Sequence, residues 1–302
     1  LAHAVLSPQR ATIQVLAWVG KAPWAALAEL ATRAGYLARG FVYLSIGAVA
    51  LLAAFDLTPE PKGALGALQA WGRWPVGVVL LWLAGLGLYA FAGWRALQSL
   101  LDADSQGTSA KALASRAGQA VSGVVYAATA VSVFGVLDAL EDLNELDDQA
   151  ATQAAIASAL ALPHGDLLVV AAGLFVVAAG VGDIVRAALD HFGRGLDCPP
   201  GARGWTGALA RAGYLARGVA FLPAGACLTG AGLNARASDA RGVGGALAVL
   251  DAQPFGDAIL GLLGLGLAAF GLFAFVEARF RPIRPQDVAL PPVRTGSAPR
   301  SR

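Results

Sequence analysis

Charged residues in this chain fall between long uncharged runs, and these runs set the first expectation. Six stretches contain no Asp, Glu, Lys or Arg: residues 40–55, 74–94, 117–137, 167–182, 218–235 and 258–276. An ionised side chain is costly in hydrocarbon, so each run predicts a membrane-spanning helix with charges at its edges. The shortest runs reach only about 24 Å at 1.5 Å per residue. Flanking Arg and Asp side chains are therefore expected to snorkel and complete the span. Helices are the only suitable element, because an open strand leaves backbone groups unpaired in lipid. The expected fold class is all-α integral membrane, with six transmembrane helices.

The spans are not independent. RAGYLARG occurs at residues 33–40 and again at 211–218, entering the first and fifth spans, and a weaker copy at 116–123 enters the third. Gly40, Gly123 and Gly218 are thus equivalent. The second, fourth and sixth spans align on Gly77, Gly165 and Gly256, and again on Gly85, Gly173 and Gly264. A short apolar segment precedes each of them, at residues 63–71, 152–162 and 244–252. This predicts three tandem two-helix repeats, parallel in the membrane, with a pseudo-threefold axis along its normal. The expected organisation is an interfacial arm at 1–30, repeats at 31–107, 108–202 and 203–281, and a disordered, basic, Pro-rich tail at 282–302.

The doubled RAGYLARG, with an aromatic residue three positions later (Tyr43, Tyr126, Phe221), resembles the opening of repeats in the bacterial domain of unknown function 1206 family. That resemblance extends over residues 31–281 and implies a membrane protein of three two-helix repeats; it implies no activity. The middle copy departs from the pattern, with Gln119 in place of Tyr36 and Ser122 in place of Arg39.

Composition agrees with the membrane reading: 57% of residues are hydrophobic and 14% charged, with a mean hydropathy of +0.61. Charge adds orientation, since 18 of the 22 Lys and Arg fall in the two tails and the second and fourth loops. The positive-inside rule then puts both termini in the cytoplasm, and the expected location is the bacterial cytoplasmic (inner) membrane.

Glycines seven apart return to nearly the same helix face after two turns. Gly40 with Gly47, Gly173 with Gly180, Gly218 with Gly225 and Gly264 with Gly271 are expected to be packing seams, with Gly123 marking the same seam in the middle repeat. Arg33, Arg39, Arg211 and Arg217 are expected to anchor the span entrances to lipid phosphate. The functional alternative is an inward anion site formed by Arg39, Arg217 and Ser122. Asp183 with Arg186 reads as a local helix-end pair, and Pro223 as the one irregularity in a span.

Little here points to chemistry. His3, His164 and His191 are far apart, and Cys198 and Cys227 lie in different environments. No Cys-x-x-Cys, His-Glu-x-x-His, phosphate-binding glycine loop or Gly-x-Ser-x-Gly occurs. The expectation is a protein that is not an enzyme, with no cofactor and no nucleic-acid partner. Its expected partners are membrane lipids and a membrane-protein complex. Candidate partner-facing residues are Trp71, Trp74, Trp82 and Trp94 around the second span, and Glu141, Asp142, Glu145, Asp147 and Asp148 in an acidic outer loop. Residues 17–40, with Trp18, Lys21 and Trp24, read as an interfacial helix leading into the first span. An accessory or scaffold subunit is the favoured reading. A passive facilitator or channel along the pseudo-threefold axis is the alternative.

Overall fold

The structure is a computed structural model that describes residues 23–58, 63–101, 108–141, 148–189, 192 and 196–281. Uncharged runs become long helices because only intrahelical bonds satisfy the backbone in an apolar setting. Six are long: α1 (Pro23–Ala54), α3 (Pro75–Leu101), α4 (Ala110–Glu141), α6 (Gly165–Leu189), α7 (Arg203–Leu233) and α9 (Gly256–Phe280). Three are short: α2 (Ala64–Gln69), α5 (Asp148–Leu160) and α8 (Val243–Asp251). No strand occurs among the described residues. The order long, short, long thus occurs three times.

Five long helices have the length and apolar content to cross a membrane: residues 29–54 of α1, 75–100 of α3, 115–138 of α4, and all of α6 and α9. The other predicted span falls on α7, which has the length at 31 residues. Its apolar half is diluted by glycines, Thr229 and Pro223, with Arg217 at its edge, so its mean hydropathy is lower. The helices also overrun the uncharged windows. α3 continues past Arg95 to Leu101, and α1 begins at Pro23, so the expected arm is continuous with the first span where it is described. The predicted arm before Pro23 and the tail from residue 282 lie outside the described residues.

Each turn from short to long helix is built around the aligned glycine. Gly77, Gly165 and Gly256 lie so close to the carbonyls of Trp71, Ala159 and Asp251 that a Cβ would overlap them. His164 and Phe255, just before two of these glycines, take left-handed backbone angles at φ 58° and 65°. α1 and α7 also end alike. Asp56 and Ala235 are left-handed, and the amides of Leu57 and Arg236 reach back to the carbonyls of Leu52 and Ala231.

Packing between units is cyclic. The second long helix of each unit packs along the first long helix of the next: α3 on α4, α6 on α7, and α9 back on α1. Within units, α1 packs on α3 and α7 on α9, while α4 and α6 have little mutual contact. The core follows α1, α3, α4, α7 and α9, around the fully buried Ala50, Leu81, Ala130, Val133, Ala220 and Leu260. The short helices form a layer at one end. There the Asp148 carboxylate accepts from the amides of Leu65 (2.9 Å) and Gly66 (3.0 Å), while Gln149 Nε2 donates to the Ala240 carbonyl at 2.7 Å. α5 thereby ties the first unit to the third.

Candidate functional site

The cyclic contacts are closed by glycine. A Cβ on Gly40 would stand 2.9 Å from the Gly271 carbonyl oxygen, and one on Gly271 2.7 Å from that of Gly40. Gly47 and Gly264 meet in the same way at 2.7 and 3.0 Å. Across α6 and α7, Gly180 faces Gly218 (2.9 and 2.6 Å), and Gly173 faces Gly225 (2.9 Å in each direction). Without Cβ atoms, backbones approach closely enough for dispersion to hold helices that no hydrophobic effect separates from lipid. The seams are antiparallel: each glycine pair seven apart on one helix meets its counterpart on the next. The α3–α4 interface is looser. Counting from the aligned Gly85 and Gly123, Ala92 and Ala130 stand where the other seams have their second glycines. A Cβ on Gly123 would stand 3.2 Å from the Arg95 Cβ, 3.5 Å from the Ala92 carbonyl oxygen and 3.7 Å from the Ala96 amide nitrogen.

Beside each tight seam lies a buried ion pair. Arg39, next to Gly40, is 9% exposed, and its Nη2 donates to Glu277 Oε2 of α9. The other Glu277 oxygen accepts from Arg281 Nη1 at 2.6 Å, so one carboxylate serves two guanidiniums. Arg217, next to Gly218, donates from Nε and Nη2 to the two Asp183 oxygens of α6, each at 2.7 Å. This fork-on-fork geometry is the strong form of the Arg–carboxylate contact, and burial makes either half costly without the other. Asp183 and Glu277 are both 3% exposed.

Aromatic rings complete the cluster. The Arg39 guanidinium carbon lies 5.0 Å from the Phe270 ring centroid, and that of Arg217 lies 4.4 Å from the same ring. Phe270 is fully buried and meets Tyr43 and Tyr214 edge to face, at 4.7 and 5.2 Å between centroids. Tyr36 lies 5.0 Å from Arg39, and Phe221 5.5 Å from Arg217. Each cation is thus desolvated onto ring faces as well as onto an acid.

The arrangement changes several sequence readings. Arg39 and Arg217 turn inward onto acids instead of snorkelling outward. Arg33 bonds to Glu29 and to the carbonyls of Ala278 and Arg279 at the end of α9, while Arg211 is exposed. Asp183 pairs with Arg217 of the next unit rather than with nearby Arg186. Trp74 and Trp82 are 70% and 50% exposed, but Trp94 is buried beside Phe91, so it does not face a partner. Trp71 is partly committed, donating from Nε1 to Ser45 Oγ at 2.9 Å and packing on Phe41. Asp148 spends its carboxylate on the amides of α2 rather than presenting it outward. Asp142, Glu145, Asp147 and the Glu141 side chain lie outside the described residues.

Burial pushes the Cys198 thiol up, with Arg203 partly opposing, which makes it a poor nucleophile. Sequence reasoning missed Glu277 and Asp183 as the acids of the site. The available signal was that the second and third repeats each carry an acid near the end of their second helix, Asp183 and Glu277, to match the first-helix arginines of the third and first repeats.

Three stretches, residues 34–102, 117–190 and 212–281, match the family model described as Domain of Unknown Function (DUF1206). They correspond to the three helix units, each centred on one short helix. The chain is also similar to the uncharacterized protein YxxB of Bacillus subtilis (strain 168), with 29% identity over 252 residues, covering 82% of this chain and 90% of the relative. No solved structure matches it. Three matches that span most of the chain identify it as a member of the DUF1206 family.

Proposed function

We propose that the protein is a non-enzymatic accessory or scaffold subunit of the bacterial cytoplasmic membrane. In this reading it has six spans, with α7 as the fifth, both termini in the cytoplasm, and a pseudo-threefold axis implied by the cyclic packing order. The observation that carries the proposal is where the polar groups go. Arg39, Arg217, Asp183 and Glu277 are consumed in inter-unit pairs around Phe270, which fills the space between them. The outward side of α3, by contrast, presents Val79, Trp82, Leu83 and Leu86, with Trp74 just before its first residue. A filled interior with an apolar, Trp-bearing exterior suits packing against lipids and other membrane proteins.

A photo-crosslinker placed at Trp82 in native membranes tests this reading, with a solvent-loop position as control. The accessory role predicts one crosslinked membrane protein that also co-purifies at fixed stoichiometry in mild detergent. Diffuse labelling and a solitary particle would remove it. Reporter fusions at the two termini test the orientation.

The facilitator is the second reading, and the buried ion pairs favour it, since intramembrane charge commonly marks a solute path. It predicts solute flux into liposomes that is lost in Arg39→Ala/Arg217→Ala, whereas the accessory reading predicts no flux for the unaltered protein.

A further inference from the structure

We infer that the α3–α4 interface binds a phosphate group, with Arg95 as its cation. The aligned glycines give the argument its register. Ten residues after Gly85, Arg95 stands where α6 has Asp183 and α9 has Ala274. Ser122, just before Gly123, stands where α1 has Arg39 and α7 has Arg217. The third interface thus has a cation on the helix where the α6–α7 interface has its acid, and a hydroxyl where that interface has its cation.

Among the described residues, Arg95 has little to neutralise it. Its Nη1 donates to Gln98 Oε1 at 3.2 Å, its guanidinium carbon lies 5.0 Å from the Phe91 ring centroid, and its Nε is buried without a hydrogen-bond partner. It shares the inner arc of α3 with the buried Leu88, Phe91 and Ala92. Towards the same end of the interface, Arg116 donates to the carbonyls of Ser99 (2.8 Å) and Leu100 (3.2 Å). Neither arginine is within ion-pair distance of a carboxylate among the described residues, whereas Arg39 and Arg217 both are.

A partly buried guanidinium with no counter-charge among the described residues is costly, and its planar fork matches the paired oxygens of a phosphate. The seam here has Ala92 and Ala130 where the others have glycines, and it brings the Arg95 Cβ against Gly123, the residue after Ser122. Two sources supply this chemistry at the cytoplasmic end of a span: an anionic phospholipid headgroup and free phosphate.

The test uses the purified full chain stripped of lipid. Thermal stability is followed against inorganic phosphate, and native mass spectrometry measures retained phosphatidylglycerol against phosphatidylcholine. Saturable stabilisation by inorganic phosphate supports the site with free phosphate as ligand. Selective retention of phosphatidylglycerol without a phosphate response supports it with the lipid headgroup as ligand. In either case Arg95→Gln weakens binding about tenfold or more, the scale of a lost charged hydrogen bond, while Arg73→Gln at the opposite end does not. Should Arg95→Gln fail to fold, Ser122→Asp serves instead: it writes the Arg217–Asp183 pair with its charges exchanged, so the protein stays folded and binding is lost. Binding of neither probe to the unaltered protein, or unchanged binding in a folded Arg95→Gln or Ser122→Asp variant, overturns the inference.

Discussion

Gly47 and Gly264 meet backbone to backbone: a Cβ on Gly47 would stand 2.7 Å from the Gly264 carbonyl oxygen and 2.5 Å from the Ala268 amide nitrogen. Neither neighbour can rotate away, because both belong to the backbone of α9. This contact closes the third unit onto the first and makes the packing cyclic rather than linear.

Gly47→Ala should therefore force α1 and α9 apart and destabilise the bundle by about 1–3 kcal/mol, the usual cost of overpacking. Gly135 on α4 has nothing within 4 Å of the place a methyl group would take, so Gly135→Ala should be neutral or stabilising by up to about 1 kcal/mol. Thermal unfolding in one detergent compares the two, and an equal loss in both would mean that the seam is not there.

Glu277 should matter far more than one of its partners. Glu277→Gln leaves Arg39 buried without an acid, which costs about 3–5 kcal/mol for a broken buried pair. Arg281, whose side chain is 49% exposed, contributes about 1 kcal/mol or less once solvent screening is counted, so Arg281→Gln should be mild. Unfolding midpoints of the two variants should differ in that order.

Asp148 should protect amides 83 and 82 residues away in sequence. Asp148→Ala removes the acceptor for the Leu65 and Gly66 amides and should cost about 0.5–2 kcal/mol, by analogy with lost helix caps. Hydrogen exchange at those two amides should accelerate while α9 is unchanged.

Much of this architecture was legible because apolar runs and repeats are written in one dimension. Gly85, Gly173 and Gly264 could be aligned by eye, and so could the short segments that became α2, α5 and α8. The site was less legible because charge was read as the edge of a span. α3 runs on past Arg95, α6 past Asp183 and α9 to Phe280 beyond Glu277, so these residues sit on helix walls rather than in loops. Local spacing also misled. Arg186 is three residues from Asp183, yet Arg217, 34 residues away, has the fork geometry and the aromatic bed. Trp94 read as a candidate partner-facing residue, but its position beside Phe91 buries it.

At two of the three inter-unit interfaces, α6–α7 and α9–α1, the outgoing helix of one repeat is locked to the incoming helix of the next by a buried ion pair. The most direct measurement is a charge exchange at Asp183 and Arg217, read as unfolding stability in detergent. Asp183→Arg and Arg217→Asp should each be severely destabilising, since each buries two like charges. The double variant should recover at least about half of the summed loss, the signature of direct coupling between two residues. A double variant as unstable as the two single losses added together would mean that Asp183 and Arg217 are not coupled and that no ion pair locks α6 to α7.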